Sequence, residues 1–430
     1  MDKEKSFQLY NVRAYVDGTL RAVDIKVQDG VIVAIRPTAA VTPAKLWLLP
    51  GVIDDHVHFR EPGLTDKADI ESESRAAAAG GVTTVMDMPN VIPTTTTPEA
   101  LEEKRALFDK HCLVRHGLFY GITNDNIEEA LRIPDDRICG YKVFLGSSTG
   151  GMLMNDMEKL KYLLSHTQRV VAVHSEDEEI IRRNREHFLR IHPGDDLGIA
   201  FHPMIRSTQA CQKATMRALQ AFEMVGGNLH ICHVSTATEL DLIRRVKQEK
   251  LPQGAHLSAE ACIGHLWFSA DDYKIQGSLI KVNPAIKSLA DRTALRHGLI
   301  DGTIDIIATD HAPHLLNDKK GGALKAASGM PSVQFSLLVM LEMMNHGILT
   351  LPDIVRLMSE NPAKRYKLWD RGAIREGLSA DFVLIDPHAK TDVNRSTILS
   401  KCGWSPWEDE VFHHKILTTW VQGVPVWQNS

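Results

Sequence analysis

Between residues 51 and 310 the chain repeats one pattern, a short run rich in Val and Ile followed by a longer stretch of helical character. Eight such runs occur: "GVIDDHVHF", "GVTTVMDM", "HGLFYGIT", "GYKVFLG", "RVVAVHSE", "NLHICHVS", "AHLSAEA" and "TIDIIATD". Short apolar runs of this kind suit strands buried on both faces of a parallel sheet, the arrangement in which helices cover both sides. Eight in succession predict an α/β fold, a (β/α)8 barrel over residues 51–374.

The flanking segments follow a different grammar. Residues 1–50 alternate apolar and polar positions in short runs, broken by Asp-Gly turn signals at 17–18 and 29–30, which predicts a small antiparallel sheet. The same grammar returns in residues 375–430, in "SADFVLIDP" and "ILTTWVQGVPVW". The two ends are therefore expected to pair into one β-sandwich beside the barrel. No internal repeat or low-complexity tract interrupts the chain.

Composition narrows the function classes. With 43% hydrophobic and 24% charged residues over 430 positions, the chain can bury a large core, and disorder is excluded. A formal net charge of −5 leaves no basic surplus for a nucleic-acid partner. No apolar run approaches the roughly 18–20 residues that span a bilayer, so no membrane association is expected. The opening "MDKEKSFQLY" has no apolar signal core, which points to a cytoplasmic protein. The six cysteines are scattered without a C-x-x-C pair, and they are expected to be reduced and mostly buried.

In a barrel of this kind the active site forms at the C-terminal strand ends, so the residue types found there are the useful test. Run one ends in His56 and His58, run four carries Lys142, run five ends at His174, run six at His233, and run eight at Asp310. Residues i and i+2 of a strand share a face, so His56 and His58 are expected side by side. A single strand-end histidine is ordinarily hydrogen-bonded structure. Four imidazoles and one carboxylate at the ends of four strands instead make a site for divalent ions, with zinc the expected metal. His230 and His233 compete for one place in "LHICHVS", and His233 is favoured because it lies nearer the strand end.

Lys142 would repel cations as an ammonium and could simply extend its head out of the barrel mouth. Buried beside metal it loses its proton readily, and the neutral amine can add CO2 to form a carbamate whose oxygens could bridge two ions. Such a pair would hold a hydroxide and polarise an amide carbonyl, with Asp310 shuttling a proton to the leaving nitrogen. The implied chemistry is reversible amide hydrolysis.

Taken in order, "PGVIDDHVHFREPG", "AAAAGGVTTVMDMPN", the run-four lysine, "HICHVST", "KVNPAIK" and "ATDHAPH" closely resemble the dihydroorotases of the amidohydrolase superfamily, over essentially the whole chain. The resemblance implies a metal-dependent (β/α)8 barrel with a β-sandwich. It further implies interconversion of N-carbamoyl-L-aspartate and L-dihydroorotate in pyrimidine synthesis, a small-molecule substrate and a homo-oligomer. It assigns His56, His58 and Asp310 to one metal, His174 and His233 to the other, and carboxylated Lys142 to the bridge. Arg60 would grip the substrate carboxylate, Asn90 and His314 would complete that cradle, and Asn283 would hydrogen-bond the ring.

There are departures. One large dihydroorotase branch carries an aspartate in place of the bridging lysine, so "GYKVFLGSSTG" brings the chain nearer to allantoinases and dihydropyrimidinases. The segment "SGMPSVQ", which contains Gly329, matches the family pattern only loosely. Arg60 in "HFREPG" favours the dihydroorotase reading over those cyclic amidases. A catalytically dead scaffold would be expected to lose metal ligands, and none of the six positions is missing. The stretch 315–329, "LLNDKKGGALKAASG", reads either as a solvated connector or as a mobile lid.

Overall fold

The computed structural model describes residues 5–146, 151–192 and 197–429; residues 1–4 of the opening stretch and 147–150 of "GYKVFLGSSTG" lie outside the described residues. Strands β1 (Phe7–Val16), β2 (Thr19–Gln28), β3 (Val31–Pro37) and β4 (Trp47–Pro50) come first. Both Asp-Gly turns take positive φ at both positions, 48° and 80° at Asp17 and Gly18, 50° and 79° at Asp29 and Gly30. That geometry matches the twist of the strands it joins.

The eight apolar runs are eight strands: β5 (Val52–Val57), β6 (Val82–Asp87), β7 (Arg115–Gly121), β8 (Gly140–Phe144), β9 (Val170–His174), β10 (Asn228–Ile231), β11 (His256–Cys262) and β12 (Ile306–Ala308). They pair in parallel and in sequence order. Every residue of β5, β6, β8, β9, β10 and β12 is buried, which is why the runs read as apolar throughout rather than alternating.

The ends of the sheet meet and nearly close the barrel. Thr309 Oγ1 donates to Asp54 Oδ2 at 2.6 Å, and the His58 amide donates to His311 O at 2.7 Å. Ile53, Met86, Phe119, Val170 and Ala172, from four strands, pack together in one apolar cluster.

The remaining strands are β13 (Phe382–Asp386), β14 (Thr391–Asp392), β15 (Val411–Phe412), β16 (Lys415–Val421) and β17 (Val424–Gln428). Both termini meet in a single seven-stranded sheet of order β17-β16-β13-β4-β1-β2-β3, with β14 and β15 a separate pair. The sheet is mixed rather than purely antiparallel, because β4 runs parallel to β1 while pairing antiparallel with β13. All six cysteines are free, but only Cys211, Cys232 and Cys262 are buried, so half rather than most of them are interior. No helix among the described residues is long and apolar enough to cross a membrane.

Candidate active site

A cavity of about 480 Å³ opens at the C-terminal ends of the barrel strands, and all ten residues singled out from the sequence line it. Phe144, Arg206, Ala312, Ala327, Ser328 and Gly329 line it as well. Three of the ten, Arg60, His233 and Asp310, have φ of 69°, 35° and 47°. Left-handed backbone at a non-glycine residue costs on the order of 1–3 kcal/mol and persists only where the surroundings enforce it.

His56 and His58 both face the cavity, with ring centroids 5.4 Å apart. The register of β5 against β6 shifts between Asp54 and Val57, and His58 lies one residue past the strand end. His56 Nδ1 lies 2.5 Å from Glu260 Oε1, and His58 Nδ1 lies 2.7 Å from Asn90 Oδ1. With each Nδ1 against an oxygen, each Nε2 is turned toward Asp310 Oδ1, at 3.4 and 3.0 Å. Ligand atoms of these three residues lie within 4.8 Å of one another. This is a donor set that suits a divalent ion, with each Nδ1 held by an oxygen acceptor.

Electrostatics at this point favour a cation. Burial and Lys142 work against protonation of His56, yet Glu260 and Asp310 prevail and raise its pKa well above the ordinary value. Burial takes His58 down to about 4 against the pull of Asp310, so it is a neutral ligand at pH 7. Burial would raise the Asp310 carboxyl, but His56 and then His58 hold it at about 2.

The second group lies beside the first, the His233 ring centroid 5.4 Å from that of His56. His174 Nε2 donates to Glu176 Oε2 at 3.0 Å, leaving Nδ1 facing His233 Nε2 at 2.9 Å, while the buried Nδ1 of His233 has no partner among the described residues. Burial lowers the pKa of both imidazoles. Lys142, 1% exposed, reaches the same cavity and donates from Nζ to Cys232 Sγ at 3.0 Å, so its head does not extend into solvent. His230 points elsewhere, with Nδ1 2.7 Å from Ser258 Oγ and Nε2 2.9 Å from Glu260 Oε2. That separates the two histidines the sequence left in competition.

Glu260 is the residue sequence reading missed. Its two oxygens receive His56, His230 and the His233 amide. The alternative donor clusters His56–Glu260–Cys262 and His230–Cys232–Glu260 are accordingly hydrogen-bonded supports beneath the cavity, since neither Glu260 nor either cysteine lines it. The signal was present in "AHLSAEA", where a carboxylate occurs in a buried run. Arg206 and Glu176 form a similar support, the Arg206 guanidinium donating to the carboxylate that receives His174. Burial opposes ionisation of Glu176, but Arg206 and then His174 hold its carboxyl well below the usual range. Nothing in the local sequence around "HPMIRS" distinguished Arg206.

The part of the cavity wall built by the loops is cationic. Arg60, 6% exposed, donates from Nε to Pro313 O at 3.0 Å, and its Nη2 lies 3.1 Å from His314 Nε2. Lys67 Nζ lies 3.3 Å from His314 Nδ1. A lysine can only donate, so Nδ1 is the acceptor and Nε2 carries the proton, which it gives to Ser328 O at 3.1 Å. Burial, then Arg60 and Lys67, hold the His314 pKa down at about 2, consistent with a neutral ring. Arg60 Nη2 thus faces a protonated nitrogen rather than an acceptor, which leaves its N–H groups available to an anion. Asn283 Oδ1, buried and without a partner among the described residues, adds an acceptor for a ligand N–H.

Residues 47–426 match the model of the amidohydrolase family. The chain belongs to that family, and with it to the metal-dependent amidohydrolases acting on cyclic amides. Curated relatives include the dihydroorotase of Methanosarcina acetivorans, 33% identical and covering 98% of this chain and 91% of its own. The dihydroorotase of Lactobacillus gasseri is 31% identical, with 98% of each chain covered. Among solved structures, the L-hydantoinase (dihydropyrimidinase) of Arthrobacter aurescens superposes with a TM-score of 0.90 at 28% identity, covering 98% of this chain and 96% of its own. The dihydropyrimidinase of Brevibacillus agri superposes with a TM-score of 0.88 at 21% identity, covering 99% and 95%, and shares the fold.

Proposed function

We propose that the chain is a dihydroorotase, interconverting N-carbamoyl-L-aspartate and L-dihydroorotate in pyrimidine synthesis. One observation carries the reading: in the cavity that holds the histidine cluster, Arg60 Nη2 lies 3.1 Å from the protonated Nε2 of His314 and so keeps its N–H donors for an anion. A cyclic amide bearing a ring carboxylate is complementary to that spacing of functions. The carboxylate accepts from Arg60 in a charge-assisted contact, with His314 beside it in the cradle. The NH2 of Asn90, whose Oδ1 is occupied by His58, adds donors, and Asn283 Oδ1 accepts a ring N–H.

His56, His58 and Asp310 would hold one divalent ion, His174 and His233 a second, with a carbamate on Lys142 between them; zinc suits the imidazole-rich donor set. Ions bound there would supply Lewis acidity toward the amide carbonyl and acidify a water. The Asp310 carboxylate, ionised at pH 7, takes a proton from the water whose oxygen bonds to the amide carbon and returns it to the ring nitrogen as the C–N bond breaks. In the reverse direction the same carboxylate removes that proton from the ureido nitrogen.

A second reading, a hydantoinase-like or other cyclic amidase, rests on the likeness to the Arthrobacter L-hydantoinase (dihydropyrimidinase). Purified protein assayed with dihydroorotate, hydantoin and allantoin, together with elemental analysis, separates the two. The expected result is turnover of dihydroorotate, about two ions per chain, and loss of both on chelation. Turnover of hydantoin or allantoin in preference to dihydroorotate would favour the second reading, and full activity with a single ion would end the two-metal scheme.

A further inference from the structure

Lys319 lies in the stretch that reads as a solvated connector, within a Lys-Lys pair, yet it is only 2% exposed. Its Nζ donates to three backbone carbonyls, Lys281 O at 3.0 Å, Ala327 O at 2.8 Å and Gly329 O at 2.6 Å. Burial, with Lys281 and Arg60 nearby, pushes its pKa well down, while the carbonyl cage favours the ammonium, the form with three protons to give. The ring of Trp404 lies 5.8 Å from Nζ, and Trp404 Nε1 donates to His314 O at 2.7 Å.

The carbonyls belong to two segments that meet the cavity separately. Lys281 leads within two residues to Asn283, whereas Ala327, Ser328 and Gly329 form the wall beside His314. A direct bond also joins them, Gly329 N to Lys281 O at 2.8 Å, and Ala327 N is tied to Asp318 O at 2.7 Å. Gly329 sits at φ 138°, where an added Cβ would collide with Ala312 O and Cβ. The wall therefore fits against Ala312 only as glycine.

We propose that Lys319 is a positioning residue for substrate recognition. Its ammonium clamps segment 281–283 to segment 327–329, so that the cradle exists before substrate arrives and residues 315–329 form a fixed wall rather than a lid. The proposal rests on the carboxylate-recognition reading above in one respect: the clamped elements flank His314 and Asn283, so loosening them should weaken substrate capture more than the chemical step. Lys319 touches none of the groups assigned to metal or proton transfer. Its charge also adds to that of Arg60, raising the positive potential that an anionic substrate meets.

Two measurements on the full-length metal-loaded protein test this. Lys319→Met should raise KM for dihydroorotate about 10- to 100-fold, the loss expected for hydrogen bonds from a charged donor, with a smaller change in kcat and unchanged metal content. In the ligand-free wild type, the amides of Ala327 and Gly329 should exchange slowly with deuterium, little altered by dihydroorotate, and should exchange faster in Lys319→Met. Fast exchange in the ligand-free wild type that slows sharply with dihydroorotate would overturn the fixed wall in favour of a lid. That result needs no variant, so it decides the matter even if Lys319→Met fails to fold. An unchanged KM in a folded Lys319→Met would overturn the positioning role. Slow wild-type exchange that quickens in the variant, with no dihydroorotate turnover by the wild type, would overturn the substrate assignment and leave the clamp standing.

Discussion

The two halves of the cavity are built from opposite materials. On the strand side, buried carboxylates orient imidazoles: Glu260 receives His56 and Glu176 receives His174, both carboxylates fully enclosed. On the loop side, cations are held by neutral acceptors, Arg60 by Pro313 O and Lys319 by three carbonyls. One half thus calls for positive charge and the other for negative. A molecule with a scissile amide at one end and a carboxylate at the other is oriented by that contrast, before any contact with the ring itself is counted. Chemistry and selection are accordingly separable, and mutations should divide along the same line.

The largest effect should come from the strand side. Lys142→Ala is expected to take activity below detection and to reduce bound metal, with a short carboxylic acid restoring part of both by standing in for the carbamate. Near-normal turnover and metal content in Lys142→Ala would remove the bridging role. On the loop side, Arg60→Met should lower kcat/KM for dihydroorotate roughly 30- to 1000-fold, the worth of a buried charge-assisted contact, with metal content unchanged by elemental analysis. Loss of metal in that variant would blur the division.

Smaller effects probe the supports. Glu260→Gln keeps the shape but weakens the pull on His56 Nδ1, and metal affinity measured by competition with a chelator should fall about 10- to 100-fold. An unchanged affinity would mean that His56 is oriented by packing alone. Lys67→Met, at the partly exposed edge of the cradle, should change KM by only about 2- to 5-fold, as expected of a solvent-screened charge. A larger effect would place Lys67 in direct contact with substrate.

The barrel was legible because strands buried on both faces leave continuous apolar runs, and each of the eight runs is a strand. The hairpin turns were equally plain, since Asp-Gly at 17–18 and 29–30 selects positive φ at both positions. The order of the terminal sheet was not, because β4 lies between β1 and β13, strands separated by most of the chain, and no local pattern encodes such a pairing. The residues expected at strand ends all reach one cavity, but spacing could not decide between His230 and His233. That choice depends on Ser258 and Glu260 on the next strand, 28 and 30 residues away. Lys319 was illegible for a related reason: a lysine in a polar stretch looks solvated, and only the fold brings carbonyls from residues 281, 327 and 329 around it.

The contrast between the two halves is tested most directly by steady-state kinetics of the metal-loaded wild type on dihydroorotate and on dihydrouracil, the same ring without the carboxylate. A site whose loop half presents a buried guanidinium should reject the neutral analogue, because Arg60 would be left unpaired. The account predicts a kcat/KM for dihydroorotate roughly 30- to 1000-fold above that for dihydrouracil. Equal values for the two substrates would contradict it, leaving a metal-dependent cyclic amidohydrolase whose cationic wall does not choose the substrate.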